Sequence, residues 1–213
     1  MMRSSSNITQ LKFGLLMAYC ALSTSIFGQS DFLSKLDSVA LSGINKGIPG
    51  IQVLISDSNS TSINNYGSLD MESTEEINDS TNWRFGSITK LFTSILILQL
   101  ESADKLSLDD HVSKYIDLKR HNESGITIRH LLNHSSGLYN YTSSGKLKWS
   151  DDMQKCLDYS LKRKLQFSPG SEYKYCNTGF VILGLIIEEI TQKSFSANLH
   201  ERIFKPCQLE SMI

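Results

Sequence analysis

Two apolar runs constrain this chain more than any other feature. One is "LFTSILILQL" (91–100) and the other "FVILGLIIEEIT" (180–191). In the first, Leu91, Phe92, Ile95, Leu96, Ile97, Leu98 and Leu100 leave almost no polar face on a helix. Such a helix needs cover on nearly every side and reads as central and buried. Both runs are shorter than the ~20 apolar residues that a bilayer span needs. They therefore predict two buried helices in one core rather than a stable membrane span. The chain has 213 residues, enough for a sizeable core. Its formal charge is −1, which gives no reason to expect nucleic acid or an anionic membrane as partner.

Other elements follow from local pattern. "DFLSKLDSVALSGINKG" places Phe32, Leu33, Leu36, Val39, Ala40 and Leu41 at helical spacing. Ile51–Ile55 is rich in β-formers, "SDSNS" is a polar turn, and Ser62–Tyr66 is the return strand of a hairpin. Residues 70–82 are polar and loop-like. "ITIRHLLNHSSGL" (126–138) reads as a short helix closed by Gly137, and "FSPGSEYKYCNTGF" (167–180) as a turn-rich loop. "SANLHERIFKPCQL" reads as an amphipathic helix stopped by Pro206. The order is helix, hairpin, then a long, mostly helical block without internal repeats.

The N-terminus carries Arg3 and Lys12 ahead of "FGLLMAYCALSTSIFG", which ends in small residues. About 15 apolar residues are short for a span. The pattern predicts a signal peptide over 1–28, cleavage near Gln29 and a secreted or periplasmic protein. Beyond it lie Cys156, Cys176 and Cys207, an odd set with neither disulfide-framework nor zinc spacing, expected to be buried thiols.

The chemistry begins at the mouth of the first apolar helix, "FGSITKLFTS", where Ser87 and Lys90 stand three apart. Residues at that spacing share a helix face. A serine at a helix start lies where unpaired amides favour developing negative charge, and its own amide can donate to an oxyanion. An amine packed against apolar neighbours loses solvation, which favours its neutral form and lets it take the serine proton. The competing reading is a capping serine beside a snorkelling lysine. The spacing alone does not discriminate, because Ser102/Lys105, Ser143/Lys146 and Ser171/Lys174 share it. Tyr175-Cys176-Asn177 adds a phenol and an amide two residues apart, so both point the same way from extended backbone. The phenol can relay a proton. The amide can orient the lysine and bond a substrate amide.

"FGSITKLFTS", "ITIRHLLNHSSGL" and "FSPGSEYKYCNTGFVILGLIIEEIT", in this order, resemble the serine β-lactamase-related family, which includes class C β-lactamases, D-alanyl-D-alanine carboxypeptidases and esterases. The resemblance runs from about Ile48 to the end of the chain. It implies an α/β fold, an antiparallel sheet carrying a large helical region, over a hydrolase domain at 29–213. Only the N-terminal hairpin and helical part are expected in these residues. It implies Ser87 as nucleophile, Lys90 as partner base, Tyr175 as proton relay and Asn177 as substrate-binding amide. How Lys90 and Tyr175 divide the base role stays open. The implied substrate is a β-lactam, a peptidoglycan-like D-Ala peptide or a small ester, and no cofactor is expected.

His130 and His134 are i, i+4, a metal-ligand spacing, but no Glu lies between them and no third ligand accompanies them, so no metal is expected. The chain departs from the family in having neither Lys-Thr-Gly nor His-x-Gly after Asn177. It therefore reads as the N-terminal part of a longer protein. The alternative function is a non-catalytic fragment or binding module that keeps the motifs without a complete site.

Overall fold

The structure, a computed structural model, describes residues 31–147 and 152–209. The expected signal peptide at 1–28 lies outside the described residues. The chain divides into two compact units between Trp83 and Arg84.

In the first unit, helix α1 spans 31–45. It turns Leu33, Leu36, Ala40 and Ile44 inward, the i, i+3/i+4 line of an amphipathic helix. Phe32, Val39 and Leu41 are exposed, contrary to the expectation that they share the apolar face. Strands β1 (Gly50–Ser56) and β2 (Thr61–Gly67) form the expected antiparallel hairpin, in register from Gly50 opposite Gly67 to Ser56 opposite Thr61. The turn forms because Asp57 Oδ1 accepts from the amides of Asn59 and Ser60, a side chain doing the work of a backbone turn. Tyr66 ties the sheet to α1 by donating its hydroxyl to Asp37 Oδ1 at 2.6 Å.

The second unit is helical. It contains α2 (Thr89–Ser102), α3 (Ile128–Leu132), α4 (Met153–Leu161), α5 (Asn177–Thr191) and α6 (Phe195–Leu199), the last running into a π-helical turn at His200–Phe204. Helix α5 is the axis and packs against α2, α3, α4 and α6. Ile182, Leu183, Ile186 and Ile187 are fully buried. Each such side chain contributes about 1.5–3 kcal/mol relative to exposure.

Helix α2 differs from its expected all-round burial. Thr93, Leu96, Ile97 and Leu100 form one buried face, spaced i, i+3, i+4, i+7. Leu91 and Leu98, seven apart, fall on the other face and are 59% and 46% exposed. Two further expectations are corrected. Helix α3 ends at Leu132 rather than at Gly137, and Cys207 is exposed while Cys156 and Cys176 are buried.

Candidate active site

The site lies within the second unit, where α2, the loop before α5 and the turn after α3 meet. Its first part is made locally. Gly86 has φ +52°, a left-handed value that any residue with a Cβ adopts only at a cost. The chain bends there into a short 3-10 turn, Gly86–Ile88, and then into α2. Ser87 therefore stands exposed at the helix mouth, and Lys90, half-buried, follows one turn later. Lys90 Nζ donates to Ser87 Oγ at 3.3 Å. The Ser171 hydroxyl, in another Ser-x-x-Lys segment, instead donates to the Ser168 carbonyl.

The second part comes from far along the chain. Cys176 is extended, with φ −142° and ψ 113°, so Tyr175 and Asn177 project the same way. Tyr175 Oη lies 2.7 Å from Ser87 Oγ. Asn177 Oδ1 accepts from Lys90 Nζ at 2.7 Å. The structure thus brings all four sequence-predicted residues into one hydrogen-bonded chain: Tyr175, Ser87, Lys90, Asn177. Lys90 Nζ also sits over the rings of Tyr175 and Phe180, 4.9 and 5.5 Å from their centroids, a cation–π arrangement.

This contact pattern sets the charge balance at the phenol. Burial pushes Tyr175 up, but the neighbouring Lys90 ammonium and the Ser87 hydroxyl bonded to the phenol outweigh burial. They hold the phenol below its ordinary value of 10.0. A phenol so placed gives up its proton more readily and sits within reach of the serine hydroxyl.

Several supporting residues were not anticipated from sequence. Asn177 Nδ2 donates to Thr142 Oγ1 at 3.1 Å, and the Asn177 backbone amide donates to Asn140 Oδ1 at 3.3 Å. Asn140 Oδ1 also accepts from the Thr142 hydroxyl at 3.0 Å. Both belong to a 3-10 turn that Asn140 caps, Tyr141–Ser144. An amide nitrogen carries two hydrogens, so after bonding Thr142 the second is what Asn177 can offer a ligand. The signal that could have revealed this turn is "YNYTSS", a cap residue followed by hydroxyl side chains. Thr178, the next residue on α5, donates to the Tyr139 carbonyl and shares a hydrogen bond with Ser160 of α4, locking the same turn to both helices.

The two histidines do not share a helix face. His130 lies in α3, and its Nδ1 accepts from the Thr127 amide in a reciprocal cap. His134 lies beyond the helix end at φ +60°, with its ring turned to the loop, where Nδ1 accepts from the Cys176 amide at 3.2 Å. The loop approaches so closely that a Cβ on Gly137, at φ +73°, would lie 2.2 Å from the Phe167 carbonyl oxygen.

Comparison with known proteins identifies the family and the fold. The family described as Beta-lactamase matches residues 31–212. Protein flp of Staphylococcus aureus (strain MW2) is 29% identical over 192 residues, covering 85% of this chain and 38% of that protein. Teichoic acid D-alanine hydrolase of Staphylococcus aureus is 32% identical over 145 residues, covering 68% of this chain and 36% of its own length. The solved structure of D-amino acid amidase from Ochrobactrum anthropi SV3 superposes with a TM-score of 0.73 at 26% identity, over 84% of this chain and 52% of the amidase. The chain thus spans between a third and two-fifths of those curated relatives' lengths. Its fold is the β-lactamase/transpeptidase type, of which the described residues carry a two-stranded hairpin and the helical region.

Proposed function

The chain belongs to the beta-lactamase family, and from that premise we propose that it is the part of a serine hydrolase that carries the nucleophile, Ser87. The observation that carries the reading is the 2.7 Å contact between Ser87 Oγ and a phenol whose proton is made labile by Lys90.

In this reading Ser87 Oγ adds to a carbonyl carbon, and its proton moves to the Tyr175 phenolate. The carbonyl oxygen takes the electron pair. Collapse expels the amine or alkoxide, which recovers the proton from Tyr175, and leaves an ester on Ser87. Water, deprotonated by the same phenolate, then releases the acid. Distance favours Tyr175 over Lys90 as the immediate acceptor, 2.7 Å against 3.3 Å. Lys90 holds the serine oxygen and the phenol in register and lowers the cost of negative charge on Tyr175. Asn177 holds Lys90 and offers its remaining N–H to the substrate. The substrate class is a D-aminoacyl amide or ester. Support comes from the names of two relatives, a D-amino acid amidase and a teichoic acid D-alanine hydrolase.

The test is covalent. The chain is incubated with a fluorophosphonate and with a fluorescent penicillin, and digested peptides are weighed. The expected adduct lies on Ser87 and disappears in Ser87→Ala. An adduct on Ser102, Ser143 or Ser171, or undiminished labelling of Ser87→Ala, refutes the assignment.

A further inference from the structure

We propose that His134 is a positioning residue for acyl transfer: by accepting the Cys176 amide and stacking on Tyr175, it sets the Tyr175-Cys176-Asn177 segment against Ser87 and Lys90, and its protonation releases that segment. The inference rests on the acyl-serine reading above and adds to it a pH-dependent support.

The geometry is specific. The left-handed backbone at His134 turns the chain sharply off the end of α3. It aims one residue's carbonyl and ring at the same loop segment. The His134 carbonyl accepts from the Lys174 amide at 2.9 Å. Two residues on, the Cys176 amide donates to His134 Nδ1 at 3.2 Å. Amides two apart on extended backbone point the same way. A single histidine therefore holds at two points the segment that carries the phenol. Its ring lies 4.6 Å from the Tyr175 ring at 38°, 5.2 Å from Phe180 at 41°, and meets Tyr173 edge-on at 6.0 Å. Tyr175 thus contacts His134 through its ring and Ser87 through its hydroxyl, with Lys90 over the ring. Asn177 begins α5 immediately after the Cys176 amide, so the same hydrogen bond sets where that helix starts.

Accepting at Nδ1 requires the neutral ring with its proton on Nε2. A proton on Nδ1 would set two donors against each other and add a second cation beside Lys90. The titratable groups against the ring are Lys90 from α2 and Tyr173, Tyr175 and Cys176 from the loop, while α5 presents Phe180. Burial, then the Lys90 charge, hold His134 below its ordinary value of 6.5, against a smaller opposing effect of the Cys176 contact. A histidine lowered on folding contributes support that is full above 6.5 and is lost as pH falls through the lowered value. Acylation should therefore lose rate on the acid side, below pH 6.5.

The experiment compares wild type, His134→Ala and His134→Asn by the second-order rate of Ser87 labelling with the fluorophosphonate from pH 4.5 to 8. Asparagine tolerates left-handed backbone and keeps an acceptor, but does not titrate. His134→Ala should label about 10²-fold more slowly, the scale of a small misplacement of reacting groups. His134→Asn should recover most of that rate and lose the additional fall below pH 6.5, leaving only the rise carried by the Tyr175 phenol. In parallel, the imidazole ¹H–¹⁵N spectrum of wild type should show His134 with Nε2 protonated at pH 7. Wild-type rates in His134→Ala, an unchanged acid limb in His134→Asn, or a proton on Nδ1 at pH 7 would each overturn the proposal. Failure of wild type itself to label on Ser87 would instead remove the acyl-serine reading beneath it.

Discussion

Replacing Tyr175 by Phe isolates the most consequential atom of the site. The change deletes one oxygen, the one 2.7 Å from Ser87 Oγ. The ring remains, so its packing on His134 and its place under Lys90 are kept. Tyr175 is 40% exposed, and the lost contact is a hydrogen bond that water can partly replace. The stability cost should therefore sit at the low end of a single bond, about 0.5 kcal/mol. The kinetic cost should be much larger. A positioned proton acceptor accounts for about 10²–10⁴ in rate, and the remaining candidate, Lys90, is farther from the serine and is also donating to Asn177. The assay is stopped-flow or time-resolved labelling of Ser87, with a thermal melt on the same samples. The pH profile supplies a second readout. Because the phenol is held below 10.0, wild-type acylation should rise with pH and level off before that value, and Tyr175→Phe should lose this rise. If Tyr175→Phe acylates at the wild-type rate with the wild-type profile, Tyr175 is not the proton acceptor and the role passes to Lys90.

Two further outcomes test the frame that holds the site. Gly137→Ala forces a Cβ to within 2.2 Å of the Phe167 carbonyl at φ +73°; it should destabilise by more than ~1 kcal/mol, and a melting temperature equal to wild type would contradict the close approach. The Asp110 carboxyl is held down to about 2, first by the Tyr115 hydroxyl and then by the Ser107 amide and Lys114. A carboxyl lowered on folding contributes stability present above its unfolded value of 3.8 and lost as pH falls toward 2. Asp110→Asn should therefore lose stability at neutral pH and show a flatter decline between pH 4 and 2. An acid limb identical to wild type in urea titrations would assign the acid sensitivity elsewhere.

The legible parts of this protein are those whose cause is local. The hairpin could be read from alternating β-formers around "SDSNS", because Asp57 and its neighbours make that turn by themselves. Helix spacing joins Ser87 to Lys90 and extended backbone joins Tyr175 to Asn177, but it was the family resemblance that singled these four out among other pairs of the same spacing. The two pairs meet across 87 and 88 residues of sequence. For that meeting, family resemblance was needed in addition to pattern. Helix α2 shows the opposite case. Its composition gave no face, and only packing on α5 and the π-helical segment's Phe204 decided that Phe92 goes in while Leu91 stays out.

The sequence by itself determined that Ser87 stands at a helix mouth with Lys90 one turn on, since Gly86 permits the bend and the apolar run enforces the helix. It determined equally that α5 is central, since a helix apolar at Ile182, Leu183, Ile186 and Ile187 has nowhere else to go. Only the tertiary structure decided which of four Ser-x-x-Lys pairs faces a phenol. Only there do Asn140 and Thr142 become supports for Asn177, and only there does His134 leave its helix to accept the Cys176 amide. Periodicity reports on neighbours within a turn or a strand. Hydrogen bonds between groups 35 to 88 residues apart depend on where the core brings the backbone, and no local pattern carries that information.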